Sequence, residues 1–145
     1  MNINQIKQWH ERARPSPTPR QLNTQIGCHF EEVVEMLEAL KPIYLSDWED
    51  VDSAIVTLTK LADRLKSNDL PVDILSRENL LDSLCDQIVT AIGVAHCADM
   101  DIVEGVYRVD DSNWSKYVHG QPIFDKNGKI TKGPNYEPPN LKGLF

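Results

Sequence analysis

A nineteen-residue stretch in the middle of the chain, from Leu80 to Ala98, constrains the fold more than any other feature. It carries only two formal charges, Asp82 and Asp86, in an otherwise mostly apolar run. Drawn as a helix, it is apolar around most of its circumference, which predicts a central helix covered by neighbouring helices or by a partner subunit. The two aspartates are four residues apart, so they lie on the same helical face.

The predicted helix from about Gln21 to Leu40 carries a second group of carboxylates. Its apolar residues recur at spacings of three and four, which predicts one buried face. They are Ile26, Phe30, Val33, Leu37 and Leu40. Glu31, Glu35 and Glu38 fall on the opposite side, and Glu32 flanks them. Because buried carboxylates need a cation, and few cations are near in sequence, these groups favour a divalent metal.

Four main helices, a shorter fifth and an irregular tail account for the sequence. The predicted helices span about Ile3–Ala13, Gln21–Leu40, Ser46–Lys66, Ser76–Cys97 and Met100–Asp111. Ser46 and Glu49 have the spacing of a capping box, and Ser76 is the expected cap of the fourth helix. Beyond Asn113 the pattern is irregular, with an Asn-Gly turn that indicates at most a small hairpin. We predict one all-α domain, residues 1–145, in which an extended tail or hairpin packs on a helical bundle or on a partner.

Charge and cysteine usage limit the partners and the compartment. The net charge of -7 argues against a nucleic-acid partner, whose binding needs clustered Lys and Arg. Cys28, Cys85 and Cys97 lack metal-site spacing, so we expect free thiols in the core, as in a reducing cytoplasm. The N-terminus lacks an apolar signal core, and no segment reads as a membrane span. We expect a soluble, cytoplasmic protein without membrane contact.

The acidic residues suit a metal that works on phosphates. Mg²⁺ prefers oxygen ligands and is commonly held by carboxylates together with substrate phosphates. Glu32 and Glu35 form one candidate ligand pair, with Mn²⁺ as an alternative ion. Asp82 and Asp86 form the facing pair. Two simpler interpretations stay open: the glutamates form a solvated face, and Asp86 is a structural residue bonded to a neighbouring helix end.

Residues 112–116 are a candidate phosphate contact. They follow the predicted fifth helix and offer an amide (Asn113), two hydroxyls and an ammonium (Lys116). Charged and polar donors of this kind suit phosphate oxygens, although the same residues also read as an ordinary polar helix end. The sequence contains no G-x-x-x-x-G-K-[ST] or G-x-G-x-x-G loop, and no Ser-His-Asp arrangement can be argued.

With these residues assembled, the chain resembles the all-α nucleoside triphosphate pyrophosphohydrolase superfamily, in particular its MazG-like branch of phages and bacteria. The superfamily has an E-x-x-E motif on one helix, which residues 32–35 match, and an E-x-x-D motif on the next. Ser83 stands where the second glutamate would fall, so Asp82 is expected to substitute for it beside Asp86. The branch's S-N-x-S-K and K-G-P-N-Y-x-P-P segments match residues 112–116 and 132–139.

The resemblance implies Mg²⁺-dependent hydrolysis of (deoxy)nucleoside triphosphates between the α- and β-phosphates, giving a nucleoside monophosphate and pyrophosphate. It implies a MazG-like bundle of four to five helices, completed as a homodimer or homotetramer in the cytoplasm, the host's if a phage encodes it. The implied metal ligands are Glu32, Glu35, Asp82 and Asp86. Glu31 or Glu38 would orient or deprotonate the attacking water. The implied substrate contacts are Asn113, Lys116, Lys132 and Tyr136.

Two other functions stay open from the sequence. The same fold could act on a specialised nucleotide, such as phosphoribosyl-ATP, dUTP, an alarmone or a damaged nucleotide. Alternatively, the chain is a non-catalytic helical scaffold. A scaffold would leave the glutamates splayed in solvent and Asp86 bonded to protein groups, whereas an enzyme would bring the four candidate metal ligands into one pocket.

Overall fold

The computed structural model describes residues 3–145, and this part of the chain contains five α-helices and no β-strand. The helices are α1 (Ile3–Ala13), α2 (Pro19–Glu38), α3 (Trp48–Ser67), α4 (Arg77–Cys97) and α5 (Ile102–Ser115). A short 3-10 turn, Leu45–Asp47, precedes α3. The predicted all-α fold class is confirmed, and α1 has the predicted bounds.

The helix starts follow capping chemistry. The Ser76 side chain accepts a hydrogen bond from the Asn79 backbone N–H (3.2 Å), which confirms the predicted start of α4. In α2, Thr18 and Gln21 form a reciprocal capping box, with Pro19 in the first turn, so the helix begins two residues earlier than expected. The proline-rich segment before it therefore starts a helix as well as ending one.

Two predictions about helix boundaries were wrong, one at the start of α3 and one at the end of α5. Ser46 does not cap α3, because its hydroxyl bonds the Asp47 carboxylate (3.0 Å) and the capping residue Asp47 makes no side-chain cap bond. The fifth helix continues to Ser115, beyond the predicted Asp111, so Asn113 lies in its last turn and Lys116 is its C-cap. The phosphate-contact segment is therefore the end of a helix and does not follow it.

The described chain divides into two compact units. The first, the α2/α3 unit, comprises residues 17–73 and 124–129. In it α2 and α3 are antiparallel, since Asn23 bonds Asn68 (2.8 Å) and Gly27 approaches Ala62. A Cβ built on Gly27 would lie 2.7 Å from the Ala62 carbonyl oxygen and 3.0 Å from the Lys66 nitrogen. Only glycine allows the two helices to approach this closely.

The buried face of α2 is not the predicted apolar stripe. Its buried residues are Asn23, Thr24, Gly27 and Val34, of which three carry no large apolar group. Ile26, Phe30, Val33 and Leu37 are only half-buried, and Leu40 is exposed. Polar groups at the buried positions are paired, as burial requires. The stripe therefore marks apolar surface that the α2/α3 unit does not use fully.

Residues 124–129 form a turn against α2. The Asp125 carboxylate accepts the backbone N–H groups of Asn127 (2.8 Å) and Lys129 (2.9 Å). The Asn127 carbonyl in turn accepts the Thr24 hydroxyl (3.0 Å). Backbone bonds pair the chain across this turn, since the Asp125 N–H donates to the Lys129 carbonyl (2.9 Å) and the Thr131 N–H donates to the Ile123 carbonyl (2.8 Å). The small hairpin expected around the Asn-Gly pair is therefore present, although its residues belong to no named β-strand.

The second unit, the α1/α4/α5 unit, comprises residues 3–16, 74–123 and 130–145. Trp9 centres its core: the indole N–H donates to the Asn113 carbonyl (2.9 Å), and the Tyr117 hydroxyl donates to the Trp9 carbonyl (2.6 Å). Ala13 and Ile130 complete this buried cluster. These contacts tie the first helix to the last.

The C-terminal segment runs antiparallel along α5. The Ser112 hydroxyl donates to the Glu137 carbonyl (2.7 Å), and the Asp101 backbone N–H donates to the Leu144 carbonyl (2.9 Å). Residues 137–144 thus follow the helix from its C-terminal end back to its start. The tail is irregular but ordered by hydrogen bonds to α5.

Helix α4 is the most apolar of the helices and the most exposed. Leu81 and Val89 are 64% and 65% exposed, and Ala95 is the buried residue of the helix. Neighbouring helices of the same chain do not cover α4, because they leave these side chains in solvent. The other expected cover, a partner subunit, stays a prediction. Cys85 and Cys97 are exposed as well, so they are free thiols but not core residues.

By length and composition, Arg77–Cys97 could cross a membrane. The sequence-based expectation was that no segment qualifies. One such helix is weak evidence, because the criteria are length and composition alone. Asp82 and Asp86 also lie within the segment, and charged groups in a bilayer are costly. The lack of membrane contact stays a prediction.

Candidate functional site

The glutamates of α2 fall into two environments. Glu32, Glu35 and Glu38 are exposed. Glu31 is instead half-buried and accepts the ammonium of Lys66 (3.0 Å) and that of Lys129 from the turn at residues 124–129. Lys66 also pairs with Asp63 (3.2 Å). Glu31 therefore joins α2, α3 and the turn within the α2/α3 unit.

The two lysines set the charge state of Glu31. Burial by itself raises the pKa of the carboxyl, but the ammonium groups of Lys129 and Lys66 outweigh burial and lower it from the ordinary 4.5. The pKa values of both lysines are raised in return: burial lowers each of them, but the bond to Glu31 outweighs it. Glu31 is a stable anion between two cations at neutral pH.

The aspartates of α4 are exposed and unpaired in the part of the chain that the structure describes. Asp82 and Asp86 share a face of the helix, four residues apart. The Asp86 backbone carbonyl accepts the Thr90 hydroxyl (2.9 Å), but its carboxylate makes no hydrogen bond within residues 3–145. Among these residues, no group of three His, Cys, Asp or Glu side chains could hold a metal ion. The metal ligand set stays a prediction.

The predicted substrate contacts lie together at the end of α5. The Lys116 ammonium donates to the Asn113 side-chain oxygen (2.7 Å), and it lies 5.9 Å from the centre of the Trp9 ring. Lys132 lies over the Tyr136 ring at 4.8 Å, a cation–π arrangement. Two amine groups, an amide and a phenol are thus fixed in the α1/α4/α5 unit.

Gly133 brings the tail against the end of α5. A Cβ at this position would lie 2.8 Å from the Lys116 carbonyl oxygen and 2.8 Å from a methyl of Val118. No larger residue fits without displacing the backbone, so Gly133 sets the approach of Lys132 to Lys116. The glycine in the K-G-P sequence indicated a close backbone approach at this position. The sequence did not identify the segment that the glycine contacts.

A buried carboxylate in α5 was not anticipated. Asp110 is 7% exposed, and within the described chain its side chain makes no hydrogen bond or ion pair. Burial, and secondarily the charge of Asp111, raises the pKa of Asp110 from its ordinary value of 3.8. Its place one helical turn before Asn113 was readable from the sequence, but its burial depends on tertiary packing.

Comparison with known proteins adds no assignment: no family model, curated protein or solved structure matches this chain.

Proposed function

We propose that the protein is a Mg²⁺-dependent nucleoside triphosphate pyrophosphohydrolase of the MazG-like type. The observation that carries the proposal is the convergence of Asn113, Lys116, Lys132 and Tyr136 at one end of α5. Cationic and amide donors fixed together suit the oxygens of a triphosphate. The contact of Gly133 with the Lys116 carbonyl brings together the two sequence segments, 112–116 and 132–136, that carry these residues.

The proposed metal ligands are Glu32, Glu35, Asp82 and Asp86, with Mn²⁺ as an alternative ion. The donor type suits Mg²⁺, since all four are exposed carboxylates spaced about one helical turn apart in pairs. Within residues 3–145 no three such side chains form a group that could hold a metal ion, so the proposal requires the two pairs to meet when the ion, the substrate or a second copy binds. When bound, Mg²⁺ would neutralise phosphate charge and lower the pKa of a water molecule. The carboxylates would hold this ion beside the phosphates.

Glu31 and Glu38 take different roles in this proposal. Glu31 lies between two ammonium groups and has a lowered pKa, so it accepts a proton poorly near neutral pH. We assign it to holding α2 against α3. Glu38 ends α2, is exposed and makes no ion pair among residues 3–145, so it orients and deprotonates the attacking water.

Assembly of at least two copies belongs to the proposal. Helix α4 exposes several large apolar side chains, among them Leu81, Val89 and Val94, and clustered exposed apolar side chains mark contact sites. A second copy of the chain would bury them in a homodimer or homotetramer. The net charge of -7 does not oppose contact through α4, because its apolar side carries no formal charge.

A non-catalytic scaffold is the second candidate, and one observation favours it. Glu32, Glu35 and Glu38 are all in solvent, as a scaffold would leave them. Against it, the Asp86 carboxylate is exposed and bonds no group of the described chain, whereas a scaffold would use it structurally. A specialised nucleotide substrate is the third candidate and is tested by the same experiment.

The test is pyrophosphate release from a panel of ribo- and deoxyribonucleoside triphosphates, dUTP, phosphoribosyl-ATP and guanosine tetraphosphate, with Mg²⁺. Asp86→Asn should lower turnover at least about 100-fold, since it removes a ligand charge. Glu78→Gln is the matched control on the same helix, and its activity should equal the wild type's. Glu38→Gln should lower kcat. Glu31→Gln should lower the free energy of unfolding before it affects kcat.

Release of pyrophosphate that is lost only in Asp86→Asn and Glu38→Gln supports the proposal and identifies the substrate. Orthophosphate with a nucleoside diphosphate would place cleavage at the wrong bond. No turnover of any substrate, from folded protein, would support the scaffold instead.

A further inference from the structure

Asp110 is a buried carboxylate that the proposed chemistry does not use. It is 7% exposed and makes no hydrogen bond or ion pair within residues 3–145. Ser112, the other buried polar residue of α5, bonds the Glu137 carbonyl (2.7 Å). The oxygens of the Asp110 carboxylate still reach solvent, because they are not among the fully buried side-chain atoms that lack a hydrogen-bond partner. A carboxylate that is held by packing, bonds no group of the described chain and reaches solvent can accept a hydrogen bond from a ligand.

Asp110 continues the row of substrate contacts on α5. Asp110, Asn113 and Lys116 are spaced three residues apart, so they form one row along the surface of α5. With a rise of about 1.5 Å per residue, Asp110 lies about 9 Å along the axis from Lys116. Asn113 and Lys116 are joined by a 2.7 Å hydrogen bond. The row thus has a cation at one end and a hydrogen-bond acceptor at the other.

A nucleotide has the complementary order of groups. Its phosphates need a cation, and its sugar hydroxyls or base N–H groups need an acceptor at some distance from that cation. We infer that Asp110 is a specificity residue of the proposed site, which accepts a hydrogen bond from a donor of the nucleoside while Lys116 and Asn113 contact the phosphates. This inference rests on the proposed nucleotide hydrolysis.

The chemistry predicts selectivity. An acceptor that loses its water when the ligand binds rejects analogues lacking the donor, because the carboxylate is then left without a partner. The raised pKa of Asp110 agrees with a carboxyl that gains a partner only when the ligand binds. Removing the carboxyl should therefore reduce discrimination between substrates more than it reduces turnover of the poorer one.

The experiment compares kcat/KM for ATP, 2′-deoxy-ATP, 3′-deoxy-ATP and the other ribonucleoside triphosphates. Asp110→Asn removes the charge, and Asp110→Leu also removes the acceptor at similar size. Asp111→Asn is the matched control, since Asp111 is the neighbouring carboxylate and is exposed. Thermal unfolding of every variant confirms that it is folded.

We expect Asp110→Leu to lose about 10- to 100-fold in kcat/KM on the donor-bearing substrate and little on its analogue, while Asp111→Asn behaves as wild type. Loss of discrimination between sugars identifies a hydroxyl as the donor, and loss between bases identifies a base N–H.

Unchanged discrimination in an active Asp110→Leu enzyme overturns the inference alone. Dissociation of the assembly in Asp110→Asn also overturns it, because the carboxylate would then serve contact between copies. Absence of nucleotide turnover in the wild type overturns both this inference and the proposed function.

Discussion

The α2/α3 pair and α4 differ in how much of their surface the chain itself buries. The contact between α2 and α3 is held by Asn23, Gly27 and the Glu31 ion pairs, all polar or small. Helix α4 is far more apolar, yet nearly all of it is exposed. The number of apolar residues in a helix therefore does not indicate how much of that helix is buried within this chain. Small and polar residues lie at the α2–α3 contact beside the buried Val34 and Leu65, whereas the exposed apolar residues of α4 form the surface that we propose for contact between copies.

The largest expected effect comes from placing a charge on α4. Ile88→Glu puts a carboxylate on the side of the helix opposite Asp86, where association would bury it. Fully burying an isoleucine is worth about 1.5–3 kcal/mol, so losing it in both copies should weaken association at least about 100-fold. Sedimentation velocity across a concentration series measures this.

Val56→Glu is the control, because Val56 is an apolar residue on α3 that is 67% exposed, against 49% for Ile88. Its association should match that of the wild type. A monomeric wild type, or equal weakening by both substitutions, would contradict the assignment of α4 to contact between copies.

The next effect separates two glycines. Gly27→Ala should lower the free energy of unfolding by about 1–3 kcal/mol, since its Cβ would meet the Ala62 carbonyl at 2.7 Å. Gly93→Ala, on α4, should raise it by about 0.5–1 kcal/mol, because no atom lies within 4 Å of its Cβ. Urea unfolding gives both values. Stabilisation by both substitutions would show that α2 and α3 do not approach so closely.

Sequence patterns predicted the elements well and their contacts poorly. The bounds of α1, the Ser76 cap of α4 and the all-α class follow from local signals that need no neighbour. The buried face of α2 and the burial of Asp110 do not, because each depends on which backbone lies opposite. The capping residues show the same limit: Ser46 has the right spacing, but its hydroxyl finds a nearer partner in Asp47.

The candidate site shows the same difference between local contacts, which the sequence predicts, and tertiary contacts, which it does not. The approach of Lys116 to Asn113 is local, at a spacing of three residues on one helix, so the sequence could place them together. The approach of Lys132 depends on Gly133 meeting the Lys116 carbonyl, which is a tertiary contact. Glu31 was grouped with the exposed glutamates because neither Lys66 nor Lys129 is near it in sequence.

A smaller effect is expected from the Glu31 ion pairs, and it depends on pH. The pKa of Glu31 is lower in the folded protein than its ordinary 4.5, so its contribution to stability is full above that pH. It is lost as the pH falls through the lowered value. Glu31→Gln should cost roughly 1–2 kcal/mol at pH 7 and nothing at the acid limit. Urea unfolding across pH measures the difference from wild type, and a pH-independent difference would contradict the charge-based account.

The smallest effect concerns Asp110 and has the opposite sign. Its pKa is raised above 3.8 by burial, so folding becomes less favourable as the pH rises through 3.8 to the raised value. Asp110→Asn should therefore be more stable than wild type at pH 7, by less than about 1 kcal/mol. The gain should disappear in acid, and thermal unfolding at several pH values tests it. A loss of stability at pH 7 would show that the carboxylate has a partner in the folded chain.

The most direct measurement of the central claim is hydrolysis of the preferred triphosphate in heavy-oxygen water, followed by mass spectrometry of the products. Attack on the α-phosphorus predicts the label in the nucleoside monophosphate and unlabelled pyrophosphate. Label in pyrophosphate, or in orthophosphate released with a diphosphate, would contradict the claim.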